Sequence, residues 1–163
     1  MSYSIVIHCR CWEAGLTPPP PTPVHRDDDD LFSPLPDDHF LEDGRRPFIA
    51  VDEWKETACA HKHMYLVHEW VANTSGMSSY RWALEQVDPV GYAPVLQVLP
   101  RFNDDIIEVE EVPPALAALR YALTDPRFDA LDADDASYAR HLSKLLEGVF
   151  AVAEKTGERV HWL

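Results

Sequence analysis

Several stretches of the chain have the pattern of a β-strand. Their apolar residues either alternate with polar ones, so that one face of the strand is apolar, or occupy both faces. Residues 2–12 carry apolar side chains on both faces, which predicts a strand in the middle of a sheet. Residues 106–112 and 159–163 also predict strands, the first from its β-branched residues and the second from its alternation. Residues 92–102 form an extended apolar run that contains prolines, which favours a position at a sheet edge.

Other stretches repeat apolar residues at every third or fourth position, as amphipathic helices do. Residues 51–72 and 78–88 predict two helices that pack as a hairpin around a polar turn. Residues 113–123 predict a short helix, because proline is tolerated in a first helical turn. The clearest helix is predicted from an N-cap at Ser137 to a stop at Gly157.

One long stretch, residues 16–47, lacks either pattern. It contains four consecutive prolines and the acidic run 27–30, and proline removes the backbone donors that helices and sheets require. We therefore expect a long Pro/Asp-rich loop inserted into one domain that spans residues 1–163. Strands and helices in mixed order predict the α+β class, with a small mixed sheet of three to four strands and about four helices.

The composition is strongly acidic, and this narrows the choice of partners. The 163 residues contain 14 Lys and Arg against 28 Asp and Glu, a formal net charge of -14. Direct binding of nucleic acid needs clustered basic residues, so the charge argues against it. It favours a basic protein partner instead, because an acidic surface accelerates association with a cationic one.

The sequence also predicts the cellular compartment of the protein. No stretch has the roughly 18 uncharged apolar residues of a membrane span, and the N-terminus does not resemble a secretory leader. The chain has three cysteines, an odd number, which is typical of free thiols in a reducing compartment. We expect a cytoplasmic protein without membrane association.

Cysteine and histidine residues suggest one possible cofactor, zinc, which binds thiolate and imidazole groups in a tetrahedron. The cysteine and histidine residues near one another in the sequence include His8, His61 and His68. If residues 51–72 are helical, Cys59 and His63 share a face, whereas His61 and His68 lie on another. The predicted ligands are Cys9, Cys11, Cys59 and His63. Neither zinc-knuckle nor metalloprotease spacing is present, and cysteines that pack as small apolar residues remain the alternative.

The sequence lacks the motifs of common catalytic sites. Residues 75–78 lack the glycines of a nucleophile elbow, and no glycine-rich phosphate-binding loop occurs among only six glycines. The prediction is therefore a non-catalytic protein without a cofactor.

The leading functional hypothesis is an acidic protein-binding module. Its most concrete form is an immunity-type inhibitor that covers the basic active site of a cognate bacterial toxin. The predicted contact residues are acidic side chains and one tryptophan off the main helical stripe: Asp27, Asp28, Asp29, Asp30, Asp104, Asp105, Glu108, Glu110, Glu111, Asp132, Asp134, Asp135 and Trp70.

Two alternatives remain open. The first is a small zinc enzyme or metal-sensing domain that uses the cysteine and histidine groups. The second is a structural protein that self-associates through edge pairing of the terminal strand, residues 159–163.

Overall fold

The computed structural model describes residues 2–27, 30–101 and 105–163. The chain divides into two compact units, one formed by Met1–Ile7 with Val67–Leu163 and the other by His8–Leu66. Helices and antiparallel strand pairs occur together, which confirms the α+β class. The expected single domain stays a prediction.

The strands form two sheets. They are β1 (Ser2–His8), β2 (His25–Asp27), β3 (Asp30–Phe32), β4 (Tyr65–Asn73), β5 (Ile106–Ile107) and β6 (Val160–Trp162). The larger sheet has the order β4-β1-β6-β5, and β2 pairs with β3 in a separate hairpin. Strand β6 runs antiparallel to both neighbours, with Ile5 opposite Trp162 and Ile107 opposite Val160. The first strand is central as predicted, but it ends at His8, so residues 9–12 of the predicted strand lie outside it.

The α-helices found in the described ranges are α1 (Pro47–Thr57), α2 (Thr74–Val87), α3 (Ala93–Val98), α4 (Val112–Ala122) and α5 (Ala133–Thr156). Helix α5 packs against α2 and α4. It ends at Gly157, whose φ of 69° is the left-handed conformation that glycine adopts readily. It begins at Asp132, which accepts a hydrogen bond from the Asp134 amide, so the predicted cap at Ser137 is one turn late.

The core of the larger unit is built around the last strand. The Trp162 side chain is fully buried, lies edge-on to Tyr3, and donates its indole hydrogen to the Val98 carbonyl oxygen at 2.8 Å. The Tyr80 and Ser143 hydroxyls hydrogen-bond at 2.9 Å within the same core. These partners satisfy the polar atoms that large aromatic side chains carry into an apolar interior.

The predicted helix over residues 51–72 is wrong in its second half, and with it the helical hairpin. Helix α1 ends at Thr57, and β4 occupies Tyr65–Asn73. The pattern YLVHEWVAN fits both periods, and pairing with β1 selects the strand. Asn73, expected to stop a helix, caps α2 by accepting from the Gly76 amide.

Three further predictions need correction. Residues 92–102 hold helix α3, because Pro94 lies in its first turn, where proline favours a helix. The strand expected over residues 106–112 ends at Ile107. The predicted loop 16–47 contains the β2–β3 hairpin.

The terminal strand does not provide the edge required by the self-association hypothesis. Strand β6 is paired on both sides, by β1 and by β5. The longest strand at an edge of the sheet is β4. Self-association through residues 159–163 is therefore contradicted by the sheet order.

One fully buried carboxylate closes the turn that follows α4. Asp125 accepts hydrogen bonds from the Tyr92 hydroxyl at 2.7 Å and from the Arg127 guanidinium at 2.8 Å. The bonds from Arg127 lower the pKa of Asp125 to about 2, against the opposing effect of burial. Because the folded-state pKa is depressed, this stabilisation is present above the ordinary aspartate pKa and is lost as pH falls towards 2.

Asp125→Asn should lower the free energy of unfolding by about 3 kcal/mol at pH 7, because it removes the buried charge that accepts hydrogen bonds from Tyr92 and Arg127. It should also flatten the decline of stability between pH 5 and pH 2. Urea denaturation across this range measures both effects. Asp129→Asn, which removes an exposed partner of Arg140, is the control and should change stability by less than about 1 kcal/mol. If the two substitutions had equal effects on stability, the stabilising role assigned to Asp125 would be contradicted.

Candidate metal centre

Four potential metal ligands converge within the unit His8–Leu66. They are Cys9, Cys11, Cys59 and His61, whose ligand atoms all lie within 4.8 Å of one another. They come from two short segments, each of which supplies two ligands separated by one residue. Both segments directly follow a regular element, so their backbones are fixed on one side.

The first segment is the end of β1 and the turn after it. Strand β1 ends at His8, and Cys9 and Cys11 follow. Beyond them the chain reverses, with the Leu16 amide donating to the Cys11 carbonyl oxygen at 2.8 Å. Gly15, at a φ of 67°, permits this reversal without a steric penalty. The turn holds the Cys11 backbone in place beside the strand end.

The second segment links α1 to β4. Cys59 follows the C-cap residue Ala58, and His61 comes two residues later. The chain then turns sharply through His63 and Met64, whose φ values of 51° and 61° are left-handed and uncommon for residues with a side chain.

A backbone hydrogen bond joins the two segments. The Cys9 amide donates to the Met64 carbonyl oxygen at 2.7 Å. It fixes the strand end against the turn before β4, and so brings the two ligand pairs together.

Three of the six distances between ligand atoms are close to those of a tetrahedral zinc site. With Zn–S of about 2.3 Å and Zn–N of about 2.05 Å, a regular tetrahedron places two sulfurs about 3.8 Å apart and a sulfur and a nitrogen about 3.6 Å apart. The Sγ atoms of Cys9 and Cys59 are 3.8 Å apart. The Nδ1 atom of His61 lies 3.3 Å from the Cys11 Sγ and 3.7 Å from the Cys59 Sγ. All four ligand atoms lie within 4.8 Å of one another, so no separation would have to decrease by more than about 1 Å when zinc binds.

Burial makes the thiols weak acids in the absence of a cation. The Cys9 side chain is 1% exposed, and burial, together with the neighbouring thiols, raises its pKa to about 12. Burial also raises the pKa of Cys11. Since metals bind the thiolate, a cation must displace these protons, and its affinity should increase with pH.

Apolar side chains and one arginine surround the site. Cys9 packs in a small cluster with Trp54 and Met64, and Trp54 donates its indole hydrogen to the Pro18 carbonyl oxygen at 3.2 Å. Arg26 donates to the Cys9 carbonyl oxygen at 3.3 Å and forms an ion pair with Glu13. The first proline-rich residues are thereby attached to the cluster that holds the ligands.

The structure brings Cys9, Cys11 and Cys59 together with His61, whereas His63, predicted as the fourth ligand, lies outside this cluster. The Nδ1 atom of His63 is 4.0 Å from a Glu56 carboxylate oxygen. The difference follows from the helix assumed over residues 51–72, which paired Cys59 with His63. The matched spacing of Cys9 with Cys11 and of Cys59 with His61 is the signal that could have identified His61.

Several acidic residues predicted to contact a partner also form bonds within the chain, and their contact with a partner stays a prediction. Asp30 pairs with Lys55 at 3.2 Å, and Glu108 pairs with Arg159 at 2.8 Å. Others accept hydrogen bonds from backbone amides: Asp105 from Arg101, Glu111 from Glu108, and Asp132 from Asp134. These carboxylates have structural roles that the sequence did not reveal.

The remaining predicted contact residues are more accessible. Asp27, Glu110 and Asp134 are exposed, and Asp135 is half-buried. Trp70 is 60% exposed on strand β4. Asp28, Asp29 and Asp104 lie outside the described residues.

Comparisons with known proteins supply no family for this chain. No family model, curated protein or solved structure matches it. Among the helices of the described ranges, none has the length and apolar character needed to cross a membrane.

Proposed function

We propose that this protein binds one zinc ion through Cys9, Cys11, Cys59 and His61. The observation that supports the proposal is the convergence of four soft donor atoms within 4.8 Å, three of whose separations are close to those of a tetrahedral zinc site. Hydrogen bonds of the thiol groups explain why any two of these side chains lie close together. They do not explain why four soft ligands converge at one place. Three thiolates and one imidazole form a set that favours zinc over magnesium or calcium.

The role of this ion is structural. Catalytic zinc sites keep a coordination position for water or substrate, whereas structural sites are closed by four protein ligands. Here the chain offers four ligands, one of them deeply buried. The zinc ion therefore stabilises the fold and takes no part in catalysis.

The unit His8–Leu66 has a physical need for such an ion. Its cluster of buried apolar residues consists of Cys9, Leu31, Trp54, Ala58 and Met64, with Cys11 and Cys59 packed against it. Units of this size are only marginally stabilised by an apolar core, and a bound metal is one common source of additional stability. With free zinc at about 1,000 times its Kd, binding adds about 4 kcal/mol to the free energy of unfolding.

The purified chain should bind zinc in a 1:1 ratio, and His61→Asn should weaken binding by at least about 100-fold because it removes a ligand. His63→Asn is the matched control, since asparagine tolerates the left-handed backbone there, and it should leave binding unchanged. Native mass spectrometry gives the ratio, and competition with a chromophoric chelator gives the affinity. Equal losses in both variants, or no bound zinc, would contradict the proposal.

Removal of zinc should loosen one unit and spare the other. Chelation is expected to speed amide hydrogen exchange in residues 8–66, and the amide of Cys9 reports directly on the hydrogen bond to Met64. Exchange within α5 should change little, because α5 packs against α2 and α4 in the other unit. Unchanged exchange in residues 8–66 would show that the ion is not structural.

The second candidate function is the acidic protein-binding module, in the form of an immunity-type inhibitor of a basic toxin. It is supported by the net charge of -14 and by the exposed Trp70, since aromatic residues commonly anchor protein interfaces. This function is compatible with a structural zinc ion, because the ion would stabilise the fold that presents the binding surface.

If a partner is captured from the host, replacement of Asp27, Glu110 and Asp134 by their amides should slow association and reduce its dependence on salt. These three carboxylates are exposed, and long-range attraction acts mainly on the association rate. Surface plasmon resonance at two ionic strengths measures both quantities. Unchanged rates would remove these carboxylates from the steering role.

A further inference from the structure

The candidate metal centre contains every cysteine of the chain, and two of these thiols are close enough to be joined. The Sγ atoms of Cys9 and Cys59 are 3.8 Å apart. A disulfide bond is about 2.05 Å long, so the two sulfurs would have to approach by less than about 2 Å. The Sγ atom of Cys11 lies 3.3 Å from the Nδ1 atom of His61 instead. These distances favour a bond between Cys9 and Cys59.

The backbone around this pair allows one sulfur to move towards the other. Cys9 is fixed at the end of β1, where its amide donates to the Met64 carbonyl oxygen at 2.7 Å. Cys59 lies in residues 58–61, which follow α1 and belong to no regular helix or strand. Such a segment can change its dihedral angles without breaking a helix or a strand pairing. Cys59 therefore supplies the movement that a disulfide requires.

The two thiols differ in their access to solvent. Cys9 is 1% exposed, whereas Cys59 is half-buried. A small oxidant from solution therefore reaches Cys59 before it reaches Cys9. An accessible cysteine beside a second thiol that can resolve its oxidised form is the usual arrangement of a redox-sensitive pair.

We propose that a peroxide releases zinc from this centre by joining Cys9 and Cys59 in a disulfide, an inference that rests on the proposed zinc site. Zinc holds its cysteine ligands as thiolates, the form that peroxides oxidise. The Cys59 sulfur attacks one peroxide oxygen, the O–O bond breaks, and a sulfenic acid forms. The Cys9 sulfur then displaces hydroxide from it. The two sulfurs together lose two electrons, which with two protons reduce hydrogen peroxide to two molecules of water.

The disulfide takes two of its four ligands from the zinc ion. Cys11 and His61 alone do not complete a tetrahedron, so the ion leaves. The new bond joins the same two segments that the ion joined, the end of β1 and the link between α1 and β4. It connects residues 50 positions apart, and closing a loop of this length stabilises the folded chain. The unit His8–Leu66 therefore stays folded when oxidation removes its zinc.

The first test adds hydrogen peroxide to the full, zinc-loaded chain in the presence of a chromophoric zinc indicator. We expect release of the bound zinc and a chain mass that is lower by two hydrogen atoms than that of the reduced chain. Peptide mapping without reduction should find Cys9 joined to Cys59, and a dithiol reductant should restore zinc binding. Amide hydrogen exchange in residues 8–66 should stay slow after oxidation, in contrast to its increase after chelation.

Two serine substitutions separate the disulfide from the metal site. Cys59→Ser and Cys11→Ser each remove one zinc ligand, but only the first removes a member of the proposed pair. In the metal-free chain at about pH 8, peroxide should therefore form at least about tenfold less intramolecular disulfide in Cys59→Ser than in Cys11→Ser. Equal yields in the two variants, or a bond from Cys11 to Cys59 in the unsubstituted chain, would overturn the assigned pair.

The outcomes also separate this inference from the zinc site on which it rests. Zinc that stays bound after peroxide treatment, or fast exchange in residues 8–66 of the oxidised chain, would overturn the inference and leave the zinc site standing. Failure of the zinc site is read earlier, from the zinc content of the reduced chain before peroxide is added, and it would overturn both.

Discussion

The candidate metal centre depends on one backbone hydrogen bond, from the Cys9 amide to the Met64 carbonyl oxygen at 2.7 Å. It holds the end of β1 against the turn that precedes β4, and so aligns two ligand pairs that lie far apart in the chain. The left-handed conformations of His63 and Met64 allow that turn. Each is sterically unfavourable by about 1 kcal/mol for a residue with a side chain, so the surrounding contacts must offset it.

The two units are stabilised differently. The larger one has a core of large buried side chains, among them Trp162, Tyr80 and Phe150, and its polar atoms find partners inside that core. The smaller one has a small cluster of buried apolar residues that includes Cys9, and Cys11 and Cys59 pack against this cluster. A cation held by those cysteines would therefore act at the centre of the smaller core.

The acidic composition is informative only after pairing is considered. Asp125, Asp30 and Glu108 are engaged by Arg127, Lys55 and Arg159, and Asp132 caps a helix. Such roles leave fewer carboxylates for a partner than the sequence suggests.

The sequence alone determined the α+β class, the central first strand, the end of the last helix at Gly157 and the three cysteines of the candidate site, because alternation, capping chemistry and thiol groups are local properties. It did not determine whether residues 65–73 form a helix or a strand, since their pattern fits both periods until β1 pairs with them. That choice decided the fourth ligand, because the end of α1 frees His61 from helical geometry and turns it towards Cys11. Only tertiary contacts between distant segments could settle it.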